Sequence, residues 1–100
     1  MEVPGSVLLF PKIFYMWGVV DAHEIKPHTL DLFKVVKPKP SYLIVGTGKY
    51  KVEFNNDFYD YFKEYKIKVE VMPTYEAVIQ FNVCNEDELN VAAALIPNNL

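Results

Sequence analysis

The sequence predicts an α/β fold in which helices cover a mostly parallel sheet. Three observations carry this. From Tyr42 onward, apolar runs of strand length alternate with segments of helical periodicity. The run Tyr42-Leu43-Ile44-Val45 is apolar on both faces, as an interior strand covered on two sides requires. Finally, 51% of the 100 residues are apolar and 15% are aromatic, which supplies a core and excludes a disordered chain. That length suits a single α/β domain over residues 1–100.

In chain order, Val7-Leu8-Leu9-Phe10 lies between Pro4-Gly5 and Pro11 and reads as an extended segment or strand end. Ile13 to Val20 is rich in β-branched and aromatic residues and reads as a second strand, with Trp17 on the core. Lys26-Pro27-His28-Thr29 is a turn into a short helix that brings Leu30, Phe33 and Val36 near one face. Pro38 and Pro40 stop it, and Lys37-Pro38-Lys39-Pro40 is a stiff link into the strand at Tyr42. Gly46-Thr47-Gly48 closes that strand. Asn55 or Asn56 then caps a helix with Asp57 and Asp60 in its first turns. Phe58, Tyr61, Phe62 and Tyr65 fall at i, i+3, i+4 and i+7, a buried stripe. Over Lys66 to Met72 the period becomes two. Ile67, Val69 and Val71 alternate with Lys66, Lys68 and Glu70, predicting a strand with one wet face near a sheet edge. Pro73 ends it, and Thr74 caps a further helix with Ala77, Val78, Phe81 and Cys84 on one stripe. Asn85-Glu86-Asp87-Glu88 reads as a solvated turn, and Val91 to Ile96 as a last buried strand closed by Pro97.

The chemistry that can be assigned is sparse. A net charge of −3 gives no general attraction for nucleic acid, and Lys34, Lys37 and Lys39 read as complements to a helix end. No apolar run approaches the ~20 residues of a membrane-spanning helix. The lone Cys84 excludes an internal disulfide, points to a reducing compartment and reads as an inert core thiol. Ser6 and Ser41 have no base nearby in sequence. His23 and His28, with Asp21 and Glu24 close by, lack the i, i+4 spacing of a helical zinc pair and are interrupted by Pro27, so they read as solvated loop histidines. Asp57, Asp60 and Glu64 read as the wet face of their helix. No catalytic constellation, metal site or cofactor is expected.

The loop after the central strand has two readings. Gly46, Thr47, Gly48 and Lys49, with Lys51, supply backbone amides, a hydroxyl and ammonium groups at the strand ends where α/β sheets bind ligands, which suits an anion. The same glycines also suit a tight turn with positive φ. Tyr50, Phe54 and Tyr59 stand off the buried stripe and are candidate anchors for a protein partner. Self-association through uncovered apolar surface is a third possibility.

Trp17 ahead of the acidic-histidine loop, Leu32-Phe33, Leu43-Ile44-Val45-Gly46-Thr47-Gly48 and Ile67-Lys68-Val69-Glu70-Val71 form an ordered set. Thr74, Phe81-Asn82 and Ala93-Ala94-Leu95-Ile96-Pro97 complete it. By their order and spacing, the stretch from Phe10-Pro11 to Ile96-Pro97 resembles the mitochondrial complex I (NADH:ubiquinone oxidoreductase) assembly factor 3 family. A related adipogenesis-associated branch carries Arg between the two loop glycines and ends in a His-x-Thr-Cys-like segment, whereas this chain has Thr47 and ends Ala-Leu-Ile-Pro. The resemblance implies a three-layer fold with a mixed, mostly parallel central sheet flanked by helices. It also implies a site in the mitochondrial matrix or at the inner membrane, and partners among complex I subunits and other assembly factors. It implies no catalytic residues. The family usually carries a strand pair upstream of the position of Pro4-Gly5. An N-terminally truncated chain is therefore expected, which also accounts for the absence of a visible targeting peptide.

Overall fold

The computed structural model describes residues 6–11, 14–18, 25–30, 32–35, 39–86 and 90–97. Five strands form one sheet: β1 Val7–Leu9, β2 Phe14–Met16, β3 Tyr42–Gly46, β4 Lys68–Met72 and β5 Val91–Leu95. Their order across the sheet is β2-β1-β5-β3-β4. The β5-β3-β4 half is parallel, while β1 runs antiparallel to both β2 and β5, so the sheet is mixed. A 3₁₀ turn at Pro27–Leu30 leads to α1 (Leu32–Val35), and α2 (Asn56–Lys63) and α3 (Thr74–Glu86) are the crossover helices.

The topology dictates the layers. From β3 through α2 the chain steps outward to the edge strand β4, and through α3 it returns past β3 to β5. Right-handed crossovers in opposite directions put their helices on opposite faces. Accordingly, Phe58 and Phe62 of α2 pack with Leu30 and Phe33 on one face, against Leu43, Val45, Ala92 and Ala94. Ala77, Val78, Phe81 and Cys84 of α3 cover the other, against Ile44, Val91, Ala93 and Leu95. Alternate residues of β3 and β5 thus serve opposite faces, and every residue of β5 is buried.

Several boundaries differ from the sequence reading. The second strand is confined to Phe14–Met16, and Trp17 follows it, half-buried against the α2-side cluster. Ile13, Val19, Val20, the Asp21-to-Glu24 loop with His23, Val36, Lys37-Pro38 and Asp87-Glu88 lie outside the described residues. The helix stripe beginning at Phe58 ends sooner than its periodicity suggests. Lys66 has φ +61, its N–H donates to Lys63 C=O, and the Ile67 N–H donates to Phe62 C=O. That pair of bonds is a Schellman stop with lysine in the position that usually takes glycine. β4 therefore starts at Lys68 rather than Lys66. Asn85 and Glu86 belong to α3 rather than to a turn, and Asn85 Nδ2 donates to Pro11 C=O.

Candidate functional site

The carboxyl ends of β3 and β4 meet where one strand leads to a helix on one face and its neighbour to a helix on the other. In open α/β sheets this is the usual ligand crevice. Here it is filled by the protein's own groups. Thr47 is buried, and its hydroxyl lies 2.7 Å from Tyr50 C=O and 3.3 Å from Met72 C=O while accepting the Val52 N–H at 3.3 Å. The Thr47 N–H donates to Met72 C=O. The Gly48 N–H donates to Thr74 Oγ1 at 2.8 Å, and Gly48 C=O accepts the Thr74 N–H.

Thr74 is the hub of this end. Its sequence reading as a helix cap is corrected: the hydroxyl receives Gly48 and donates to Ile96 C=O at 2.8 Å, tying three strand ends together, while Pro73 C=O accepts the Ala77 N–H at the helix start. Both loop glycines follow from this closure. A Cβ on Gly46 would sit 2.8 Å from Leu95 Cδ2 and 3.1 Å from Thr74 Cα, so nothing larger fits without a shift. Gly48 has φ +92, a conformation glycine adopts at little cost. Outside the loop, Lys49 lies over the Tyr50 ring at 5.5 Å and Lys51 pairs with Glu53 at 3.5 Å. The Thr47 and Gly48 amides and the Thr47 hydroxyl are thus turned inward, while the Lys49 and Lys51 side chains stay at the surface.

The three aromatic candidates separate. Tyr50 is 71% exposed. Phe54 stacks on Phe58 at 4.5 Å, and Tyr59 meets the same ring edge-on at 5.7 Å, so both are partly buried at the rim of the α2-side core. Burial, with Glu53 adding to it, raises the Tyr59 phenol above its ordinary value. Tyr42 is raised further, first by burial and then by donating to Glu70 at 2.7 Å.

One surface went unread in the sequence. Tyr75, Ile79 and Val83 are 55%, 62% and 49% exposed and lie at i, i+4 and i+8 on α3, opposite the buried stripe. An apolar row therefore runs along the outer side of the helix, between Glu76, Asn82 and Glu86. The outer row has the same helical spacing as the inner stripe of Ala77, Val78, Phe81 and Cys84, which alone accounts for a core face. Tyr50 and Tyr75 flank the Gly48–Thr74 link, so the exposed aromatics of the loop and the helix share one end of the sheet.

At the other end, a cleft of about 400 Å³ is lined by Ser41, Tyr59, Lys63, Lys66 and Lys68. Lys63 there complements the carboxyl end of α2, and Lys68 pairs with Glu70 at 3.6 Å. Cys84 is buried. Among the described residues no group of three or more His, Cys, Asp or Glu side chains is placed to hold a metal ion, and no helix is long and apolar enough to cross a membrane.

Residues 1–96 match the family described as protein of unknown function (DUF498/DUF598). The chain is 33% identical over 99 residues to the Drosophila melanogaster protein named NADH dehydrogenase (ubiquinone) 1 alpha subcomplex assembly factor 3, covering 97% of this chain and 50% of that one. It spans about half the length of the curated relatives it matches. A crystal structure of a Bordetella parapertussis protein superposes with a TM-score of 0.86 at 22% identity, covering 95% of this chain and 80% of that one. A solution structure of a Mth938-like domain from Bordetella pertussis gives 0.80 at 20% identity, with 95% and 75% coverage. The likeness to these structures carries the fold, and the resemblance to the complex I assembly factor 3 family is borne out by the relatives.

Proposed function

The chain belongs to the DUF498/DUF598 family, and from that membership and its named relatives we propose that it is a non-catalytic protein-interaction factor in the assembly of mitochondrial complex I. The relatives' shared name supports an assembly role for complex I and with it a mitochondrial location, which on this reading is the matrix or the inner membrane. Complex I subunits or other assembly factors are the partners. The carrying observation is the uncovered apolar stripe Tyr75, Ile79 and Val83 on a helix whose other face already fills the core. A row of exposed apolar side chains on a surface helix, rimmed by polar residues, marks a candidate interaction site. Tyr50 stands exposed on the loop at the same end of the sheet, and Phe54 and Tyr59 lie at the rim of the α2-side core, as separate candidate contacts.

The test is affinity purification of the tagged protein from its native cells, read by mass spectrometry, beside a Tyr75→Ser/Ile79→Ser/Val83→Ser variant of unchanged melting temperature. Complex I components captured by the unmodified protein and lost with the variant are expected. Equal capture by both, or no complex I component with either, overturns the reading. The second reading, an anion held by Gly46, Thr47, Gly48 and Lys49, ranks lower because the Thr47 and Gly48 amides and the Thr47 hydroxyl already bond within the protein. A rise in melting temperature with phosphate or carboxylate metabolites, abolished by Lys49→Ala, would reverse the ranking.

A further inference from the structure

The cleft at the end of the sheet opposite the glycine loop gathers three lysines. Lys63 comes to it from the last turn of α2, Lys66 from the turn that follows, and Lys68 from the first residue of β4. Tyr59 and Val69 supply apolar wall beside them, and no carboxylate is among the lining residues. The frame is fixed by the sheet, since the Lys68 N–H donates to Ser41 C=O at 2.9 Å. In a chain of net charge −3, such a concentration of positive charge is local and not a property of the whole surface.

The fold uses little of this charge. The carbonyls at the end of α2 are met by backbone donors. Asp60 C=O accepts the Glu64 N–H, Phe62 C=O accepts those of Tyr65 and Ile67, and Lys63 C=O accepts that of Lys66. Among the described residues neither Lys63 nor Lys66 has an ion pair. Lys68 does pair with Glu70, but both side chains are solvent-exposed, where such a pair is weak, and Glu70 also accepts the Tyr42 hydroxyl.

Lys66 adds an independent observation. Its φ of +61 is a conformation that glycine adopts at less cost, and neither backbone bond of the stop involves the lysine side chain. Residues other than glycine held in this region cluster at ligand clamps. What glycine would lack here is an ammonium group on the wall of the cleft.

We propose that this cleft binds a small organic phosphate, its dianionic group held by Lys63, Lys66 and Lys68 and its apolar body lying on Tyr59 and Val69. The volume of about 400 Å³ is that of a small-molecule site. Lysine binds phosphate as a point charge on a flexible stem. A phosphate monoester concentrates nearly two charges in one group at neutral pH, whereas an acidic peptide spreads one charge per residue over a longer surface. The site stands apart from the α3 stripe, so it does not rest on the interaction reading.

The test titrates the full chain with phenyl phosphate, inorganic phosphate and a tetraglutamate peptide, followed by backbone amide NMR. Saturable shifts at Ser41 and at Lys66 to Val69 are expected, with phenyl phosphate binding tightest of the three. Its affinity should fall on acidification through about pH 6, where the phosphate loses its second charge while the lysines keep theirs. Lys66→Gly is the sharpest variant. It should raise the melting temperature and yet weaken binding about threefold, the weight of one exposed charge contact. Lys63→Gln should weaken binding by a similar factor. Shifts centred on Gly46 to Lys49 would assign the anion to the loop and overturn the proposal. Tighter binding of the peptide, no saturation by about 10 mM phenyl phosphate, or full affinity in both lysine variants would overturn it as well.

Discussion

The two crossover helices do the same topological job and present opposite exteriors. α2 places Phe58 and Phe62 in the core and leaves Asn56, Asp57, Asp60 and Lys63 to water. α3 places Ala77, Val78, Phe81 and Cys84 in the core and still turns Tyr75, Ile79 and Val83 outward. One helix is finished by solvent, whereas the other has apolar surface the fold does not use. The difference separates two demands on one element: the inner stripe answers to the sheet, and the outer stripe to something beyond the chain.

The largest expected effect lies on the inner side. Phe62 is fully buried, and Phe62→Ala should cost about 3–5 kcal/mol in denaturant unfolding. A loss below 1 kcal/mol would mean that α2 is not an anchor of its face. Next comes the hub at the start of α3. Thr74→Val leaves the Gly48 N–H and Ile96 C=O without their partner and should cost about 2–6 kcal/mol, from ~1–3 kcal/mol for each of the two orphaned groups. An unchanged melting curve would show that the strand ends close without it.

Alkaline unfolding offers a third probe. The Tyr42 phenol is raised above its ordinary 10.0 in the folded chain, so the unfolded chain gives up that proton first. The contribution is whole below pH 10 and declines as pH rises toward the folded value, and Tyr42→Phe should flatten part of that fall. A variant as steep as the unmodified protein would count against it. Lys66→Gly, at the left-handed stop of α2, should add up to ~1 kcal/mol of stability. A net loss would mean that the lysine side chain holds this end. Ile79→Ser sharpens the comparison most while moving stability least, by within ~0.5 kcal/mol. A large loss would show that the outer stripe of α3 is core after all.

What was legible in the sequence followed from local pattern. The α2 stripe, the alternation of Ile67, Val69 and Val71, and the continuous apolar strands at Tyr42 and Val91 each carry their period in adjacent residues. Thr74 was misread because its partners, Gly48 and Ile96, lie 26 and 22 residues away, and a threonine after a proline looks like a cap from nearby sequence alone. Lys66 was misread because a left-handed lysine has no compositional signature. Of the proposed site, Tyr50 was found as an aromatic off the stripe. Tyr75, Ile79 and Val83 escaped because two apolar faces on one helix look like a deeply buried helix until the sheet is seen to need only one.

The strand that closes the chain order, β5, stands in the middle of the sheet. Among the described residues the β1-β2 pair and the β3-β4 pair share no ladder with each other, and both are hydrogen-bonded into the sheet through Val91–Leu95. During synthesis the two halves must therefore wait, each with one strand edge open, until the segment that joins them leaves the ribosome. Folding of this domain is thus a late, nearly single event rather than a progressive one, and contacts so distant in sequence make it slow. Over that interval the nascent chain depends on whatever in the cell shields open edges, and a chain stopped just before Val91 would carry both strand pairs without the central strand that joins them into one sheet.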